Sequence, residues 1–189
     1  MRHKYETRGI VLSRSPLGEA NAFITLVTPA LGLLRVRAQG VRKPDAKLAA
    51  ALATFAESEV VLMHGREGWR LSGAVLEENW FKRLVRAAPR ERAARLLGLL
   101  LRLVAGEAQN PVLFMIVRGS LEAFAELPEE THEAVEVLAA LRLLAALGLD
   151  AGALPGEVPI FSAPLLAEVA KNRAEYVARI NRGIEASGL

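Results

Sequence analysis

The chain contains no cysteine. Disulfides, a thiolate nucleophile and any cysteine-based zinc site are therefore excluded. Its three histidines, His3, His64 and His132, lie far apart in sequence. His-Glu-Ala-Val-Glu at His132 begins like a zinc-protease helix, but Glu136 stands where the second histidine must be. There is no phosphate-binding G-x-x-x-x-G-K-[ST] loop and no G-x-S-x-G nucleophile turn. Nor do the acids cluster as in a two-metal site, since Glu77-Glu78 is a lone pair at a strand end. Bond-making chemistry is thus not expected, and neither is a cofactor: the chain does not read as an enzyme. Long apolar runs are missing too. The most apolar stretch, Leu96–Leu101, ends at Arg102 and is too short to span a bilayer. The N-terminal Met-Arg-His-Lys-Tyr-Glu-Thr-Arg has no apolar core of a signal peptide. No membrane association and a cytoplasmic location are the expectation.

What is present is apolar and patterned. Hydrophobic residues make up 52% of the 189 positions, enough for a globular core. In Leu34-Arg35-Val36-Arg37 the apolar and basic residues alternate with the period of a strand. Short strands are predicted over 7–14, 22–28, 33–39, 55–63 and 69–76. Ser15-Pro16-Leu17-Gly18-Glu19, Thr28-Pro29-Ala30-Leu31-Gly32 and Arg66-Glu67-Gly68 read as the loops and turns between them. Residues 47–54, rich in Ala and Leu, suit one or two helical turns between the third and fourth strands. Five strands with a helical insert after the third is the order of an OB-fold barrel. From Trp80 the period changes to that of helices. A linking helix is expected first, then helices over 90–104, 111–126, 128–147 and 163–185, the last with Ser162 as its N-cap and Pro164 in its first turn. The fold class is α+β: an N-terminal five-stranded OB barrel over 1–79, then an all-α bundle over 80–189.

The net charge is only +3, but it is unevenly spread. Between Trp80 and Arg102 stand seven basic residues and one acid; between Ala108 and Ala170 stand two basic residues and nine acids. The acidic middle is expected to point away from whatever the basic part meets. A small sheet with an apolar inner face and arginines outside is a natural platform for a phosphate backbone. Arg35 and Arg37, with Arg42, Lys43 and Lys47 following directly, are the first candidates for DNA contact. Arg14 and Arg66 flank the loops at the strand ends, and Lys82, Arg83 and Arg86 could extend the track. Aromatics are only 5% of the chain, and Phe23, Phe55 and Trp69 read as core. Binding is therefore expected to be electrostatic and independent of sequence.

The segments Tyr5–Asn21 (Y-x-T-x-G-I-V-L-x-x-x-P-L-G-E-A-N) and Thr28–Pro44 (T-P-x-L-G-L-L-R-V-x-A-x-G-x-R-K-P) resemble the N-terminal OB domain of the RecO family of bacterial recombination mediators. Ile180–Leu189 is similar to that family's last helix. The resemblance implies a DNA repair protein that binds single- and double-stranded DNA and anneals complementary strands. Its implied partners are RecR and the C-terminal tail of the single-stranded-DNA-binding protein SSB, and it would help load RecA and associate with the nucleoid. Arg35, Arg37, Arg42 and Lys43 fall where the family's basic DNA-binding residues lie. Many members carry a four-cysteine zinc module before the last helix. Here Leu149–Ser162 is a Gly/Pro loop, so the resemblance is to a compact form without that metal site.

A tail ending in acids and Phe needs an apolar slot with a cation at its rim. Arg90, Arg92, Arg95, Arg102 and Arg118, with Phe114 and Met115, are the candidates, on the second and third helices. The rival reading is an OB-fold adaptor that binds proteins and makes no direct contact with DNA.

Overall fold

The computed structural model describes residues 3–41, 48–104 and 106–188. Five strands come first: β1 (His3–Leu17), β2 (Asn21–Thr28), β3 (Gly32–Ala38), β4 (Ala56–Gly65) and β5 (Gly68–Asn79). They close into a barrel in the order β1-β2-β3-β5-β4. Every pairing is antiparallel except β3 with β5, which run parallel and seal the barrel through Val36↔Trp69 and Arg37↔Arg70. Val11, Ile24, Leu26, Val36, Val60 and Leu62, at most 1% exposed, fill the interior, together with Leu52 from the segment after β3. This is the five-stranded OB architecture followed by helices, as expected from the sequence.

The strand ends differ from the expectation. Ser15, Pro16 and Leu17 belong to β1, where they pair with Phe23, Ala22 and Asn21, and the turn is only Gly18–Ala20. Pro16 is tolerated because it sits in the last turns of a two-stranded ribbon, where the ladder no longer needs its N–H. The helical insert is reduced to a single turn, closed by Leu52 N–H donating to the Leu48 carbonyl at 3.1 Å. The turn between β2 and β3 is built by Thr28: its Oγ1 accepts from Leu31 N–H (3.0 Å) and donates to the Gly32 carbonyl (3.2 Å). Gly32 has φ +72°, and a Cβ there would collide with the Ala108 carbonyl oxygen. That carbonyl accepts from Leu33 N–H at 2.8 Å, so only glycine fits the position.

The helices are α1 (Trp80–Arg83), α2 (Ala87–Leu103), α3 (Val112–Glu126), a 3-10 turn (Glu129–Thr131), α4 (His132–Ala146), α5 (Ala163–Lys171) and α6 (Arg173–Ala186). The chain divides into two compact units, 1–83 with 106–114, and 84–105 with 115–189. The first unit includes α1 and a later stretch of chain besides the five strands. Trp80 is fully buried in it, and its indole N–H donates to Glu57 Oε2 at 3.0 Å.

In the second unit α4 is the hub, packed by α2, α5 and α6. It is buried on nearly every side, from Val135 to Leu144, as a helix apolar all round must be. The single closing helix expected over 163–185 is two helices, α5 and α6, broken at Asn172. Ser162 precedes α5 as expected, but its side chain makes no cap hydrogen bond.

Candidate nucleic-acid interface

Side chains directly opposite one another in a sheet share a face. The register therefore lays out one row around the outside of the barrel. Ser15 faces Phe23, Phe23 faces Arg37, Arg37 faces Arg70, and Arg70 faces Met63. Arg35 stands two residues from Arg37 on the same face, opposite Thr25. Its guanidinium lies 4.1 Å above the Phe23 ring, a cation–π contact that holds the charge flat against the sheet. Phe23 is thus a half-buried outer residue and not the core residue its strand position suggested. Arg70 Nη2 donates to Gln39 Oε1 at 3.1 Å, and Arg37 Nε is buried without a hydrogen-bond partner.

Among the described residues no carboxylate forms an ion pair with Arg35, Arg37 or Arg70. The neighbouring side of the barrel is different. There Arg8 lies between Glu57 (3.6 Å) and Glu59 (3.4 Å). Among the described residues the positive face of β2, β3 and β5 is therefore free of ion pairs, whereas on the β1–β4 side Arg8 is held by two glutamates.

The other sequence candidates divide. Arg14 is exposed, but it pairs with Ile24, which puts it on the opposite face of the β1–β2 ribbon from Arg35 and Arg37. Arg66 is exposed in the turn between β4 and β5, and Lys82 is exposed on α1. Arg42, Lys43 and Lys47 lie outside the described residues. Arg83 is bound to Glu78 at 3.2 Å and stacks over Trp80. Arg86 pairs with Glu129 at 2.5 Å.

In the second unit the acids and bases meet instead of pointing apart. Arg92 and Arg95 both bind Glu136, at 2.6 and 2.7 Å, and Arg118 binds Glu122 one turn along α3. Burial alone would raise the Glu136 carboxyl, but the hydrogen bonds from Arg95 and Arg92 outweigh it and hold it below the usual range. Arg173 likewise binds Glu133. The tail candidates are reduced accordingly. Phe114 is buried in the first unit, while Met115 (41% exposed) and Arg102 remain at the surface. Arg90 is half-buried.

Arg70 was missed by sequence reasoning. The alternation Trp69-Arg70-Leu71 carries the signal, but only the parallel pairing of β5 with β3 places Arg70 beside Arg37. No group of three or more His, Asp or Glu that could hold a metal occurs among the described residues. No described helix is long and apolar enough to cross a membrane.

This domain matches a known one. Residues 1–79 fit the family model described as "Recombination protein O N terminal". The match covers the N-terminal barrel, which is similar to the RecO N-terminal domain. The DNA repair protein RecO of Roseiflexus sp. is 36% identical over 120 residues, which cover 63% of this chain and 42% of that protein. RecO of Dehalococcoides mccartyi is 29% identical over 120 residues, 64% of this chain and 47% of the relative. RecO of Synechococcus elongatus is 44% identical over 71 residues, 38% and 27% of the two chains. The chain spans less than half the length of these RecO relatives. The positive face described above lies within the residues that fit this family model.

Proposed function

We propose that this chain is a member of the RecO family, that it binds single- and double-stranded DNA through the outer face of β2, β3 and β5, and that it anneals complementary strands. The observation that carries the reading is the stripe Arg35–Arg37–Arg70, with Arg35 set over Phe23 and no ion pair to a carboxylate among the described residues. Cations already bound to carboxylates gain little from phosphate. Cations without them release counterions on binding, which makes the affinity steeply salt-dependent. Annealing needs no bond to be made or broken, and we place the protein outside the enzymes. Incubation with a labelled strand and magnesium should leave the strand's length unchanged.

The family suggests the larger role: a recombination mediator that acts with RecR to help load RecA on SSB-coated DNA, in the cytoplasm at the nucleoid. For the SSB tail, Arg102 on α2 is the cation to test first. It is exposed, and among the described residues no ion pair holds it. The deciding experiment is the annealing rate of complementary strands coated with SSB. Acceleration on adding the protein is expected. An unchanged rate, with the protein folded, would contradict the annealing role. Loss of tail-peptide affinity in Arg102→Glu is expected, and an unchanged affinity would move the tail site elsewhere.

A further inference from the structure

Trp69 is half-buried and stands at the first turn of β5, where β4 has just ended. The pairings His3↔His64 and His64↔Trp69 bring two histidines distant in sequence to the same end of the barrel. The Tyr5 ring meets Trp69 edge-on, with centroids 5.2 Å apart, and the His64 ring lies 4.5 Å away. Tyr5 is 37% exposed. Three rings thus form an aromatic cluster at the mouth of a barrel whose chain is otherwise poor in aromatics. Trp69 is also one wall of a cavity of about 330 Å³. Leu31, Leu34 and Pro111 supply its apolar walls, and Glu107 and Gln109 its polar rim. That volume is at the lower end of small-ligand clefts, roughly 300–1,000 Å³.

We propose that this cavity takes one unpaired nucleobase of single-stranded DNA, stacked on Trp69. The inference rests on the reading that the outer arginines bind the DNA backbone. Trp69 and Arg70 are consecutive in β5, and their partners in β3 are Val36 and Arg37. One strand position therefore carries the flat ring at the mouth, and the next carries the cation on the outer row. A backbone held on Arg37 and Arg70 has a base within reach of the mouth. The rim chooses base over phosphate. The Glu107 carboxylate repels an anion but accepts a hydrogen bond from an exocyclic amine, as on cytosine, and the Gln109 amide both donates and accepts. A duplex keeps its bases stacked and cannot fill the site, so the subsite favours single strands.

Trp69 supplies its own reporter. The other tryptophan, Trp80, is fully buried, so a fluorescence change on adding DNA comes from Trp69. Three probes of equal length separate the terms: a dC oligonucleotide, an abasic strand with the same phosphates, and a duplex. All three should bind by anisotropy at low salt, but only the dC strand should quench the fluorescence. Trp69→Phe should abolish the quenching and keep most of the affinity. Trp69→Ala should weaken dC binding roughly tenfold, as for one stacked base, and leave abasic binding unchanged. Gln109→Ala, which removes only an exposed side chain and leaves the backbone bonds of Ala108 to Leu33 in place, should weaken dC binding alone. Equal affinity for dC and abasic strands, with no fluorescence change, would overturn the subsite and leave the arginine face standing. Failure of all three probes to bind would overturn both.

Discussion

The two units use arginine in opposite ways. On the barrel, Arg35, Arg37 and Arg70 share one face, and among the described residues no carboxylate forms an ion pair with them. In the second unit, Arg92 and Arg95 close on a single Glu136, Arg118 on Glu122 and Arg173 on Glu133. A count of basic residues along the chain ranks the α1–α2 segment highest, yet most of that charge is spent inside the protein. What distinguishes a binding surface from a solvated or bracing one is the partner each charge already has, and that is a property of the fold.

The comparison breaks most visibly if charge is reversed on the barrel. Arg35→Glu with Arg37→Glu is expected to lower oligonucleotide affinity on the order of a hundredfold at low salt, with the circular-dichroism spectrum unchanged, because outward strand residues bury little area. Anisotropy against a labelled strand reads this directly.

A smaller effect is expected in the bundle, and it is one of stability. Glu136→Gln removes the shared partner of Arg92 and Arg95 and should cost about 1–2 kcal/mol in urea unfolding, more than an exposed pair because the carboxylate is half-buried and bound twice. The carboxyl's folded pKa is lowered, so its contribution is full above the unfolded glutamate value, near ~4.3, and is lost as pH falls through the folded value. The deficit of the Gln variant should therefore shrink in acid. A deficit that is the same at neutral and acid pH would show that the loss is one of packing.

Arg142 sharpens the contrast from the inside. It is 1% exposed, and Nη2 donates to the Glu157 carbonyl at 2.8 Å, pinning the 150–161 loop. Its Nε and Nη1 have no hydrogen-bond partner among the described residues, and burial lowers its pKa to about 10. Arg142→Lys should destabilise more than Arg142→Met, by about 1–2 kcal/mol, because a lysine ammonium is harder to strip of water than a guanidinium. A Met variant as unstable as the Lys variant would mean that the loop depends on the guanidinium's hydrogen bonds alone. The smallest effect should be that of Arg86→Ala. Its ion pair with Glu129 joins side chains 76% and 44% exposed, and its loss should cost under about 0.5 kcal/mol.

Much of the barrel was legible because strand alternation is local: Leu34-Arg35-Val36-Arg37 shows its two faces in four residues. The turn Thr28–Gly32 was legible for the same reason. The extension of β1 through Pro16 was not, since proline reads as a break unless the ribbon it ends is known. Arg70 stayed hidden because the β3–β5 closure joins residues 33 positions apart. The role of Trp69 stayed hidden because an aromatic in a strand is core in the middle of a barrel and half-exposed at its mouth. The pairing of Arg92 and Arg95 with Glu136 spans more than forty positions, and no spacing rule reaches that far. The break at Asn172 was missed because an apolar period runs through it, while the side chain there bonds back to the Glu168 carbonyl at 3.2 Å.

The most direct test sets the two kinds of arginine side by side in one titration. Oligonucleotide affinity is measured against salt for the unaltered protein, for Arg35→Ala with Arg37→Ala, and for Arg92→Ala with Arg95→Ala. The expected result is a log–log slope reduced by about two for the barrel pair, one per lost phosphate contact, and unchanged for the bundle pair. A slope that is unchanged for the barrel pair and reduced for the bundle pair would contradict the account.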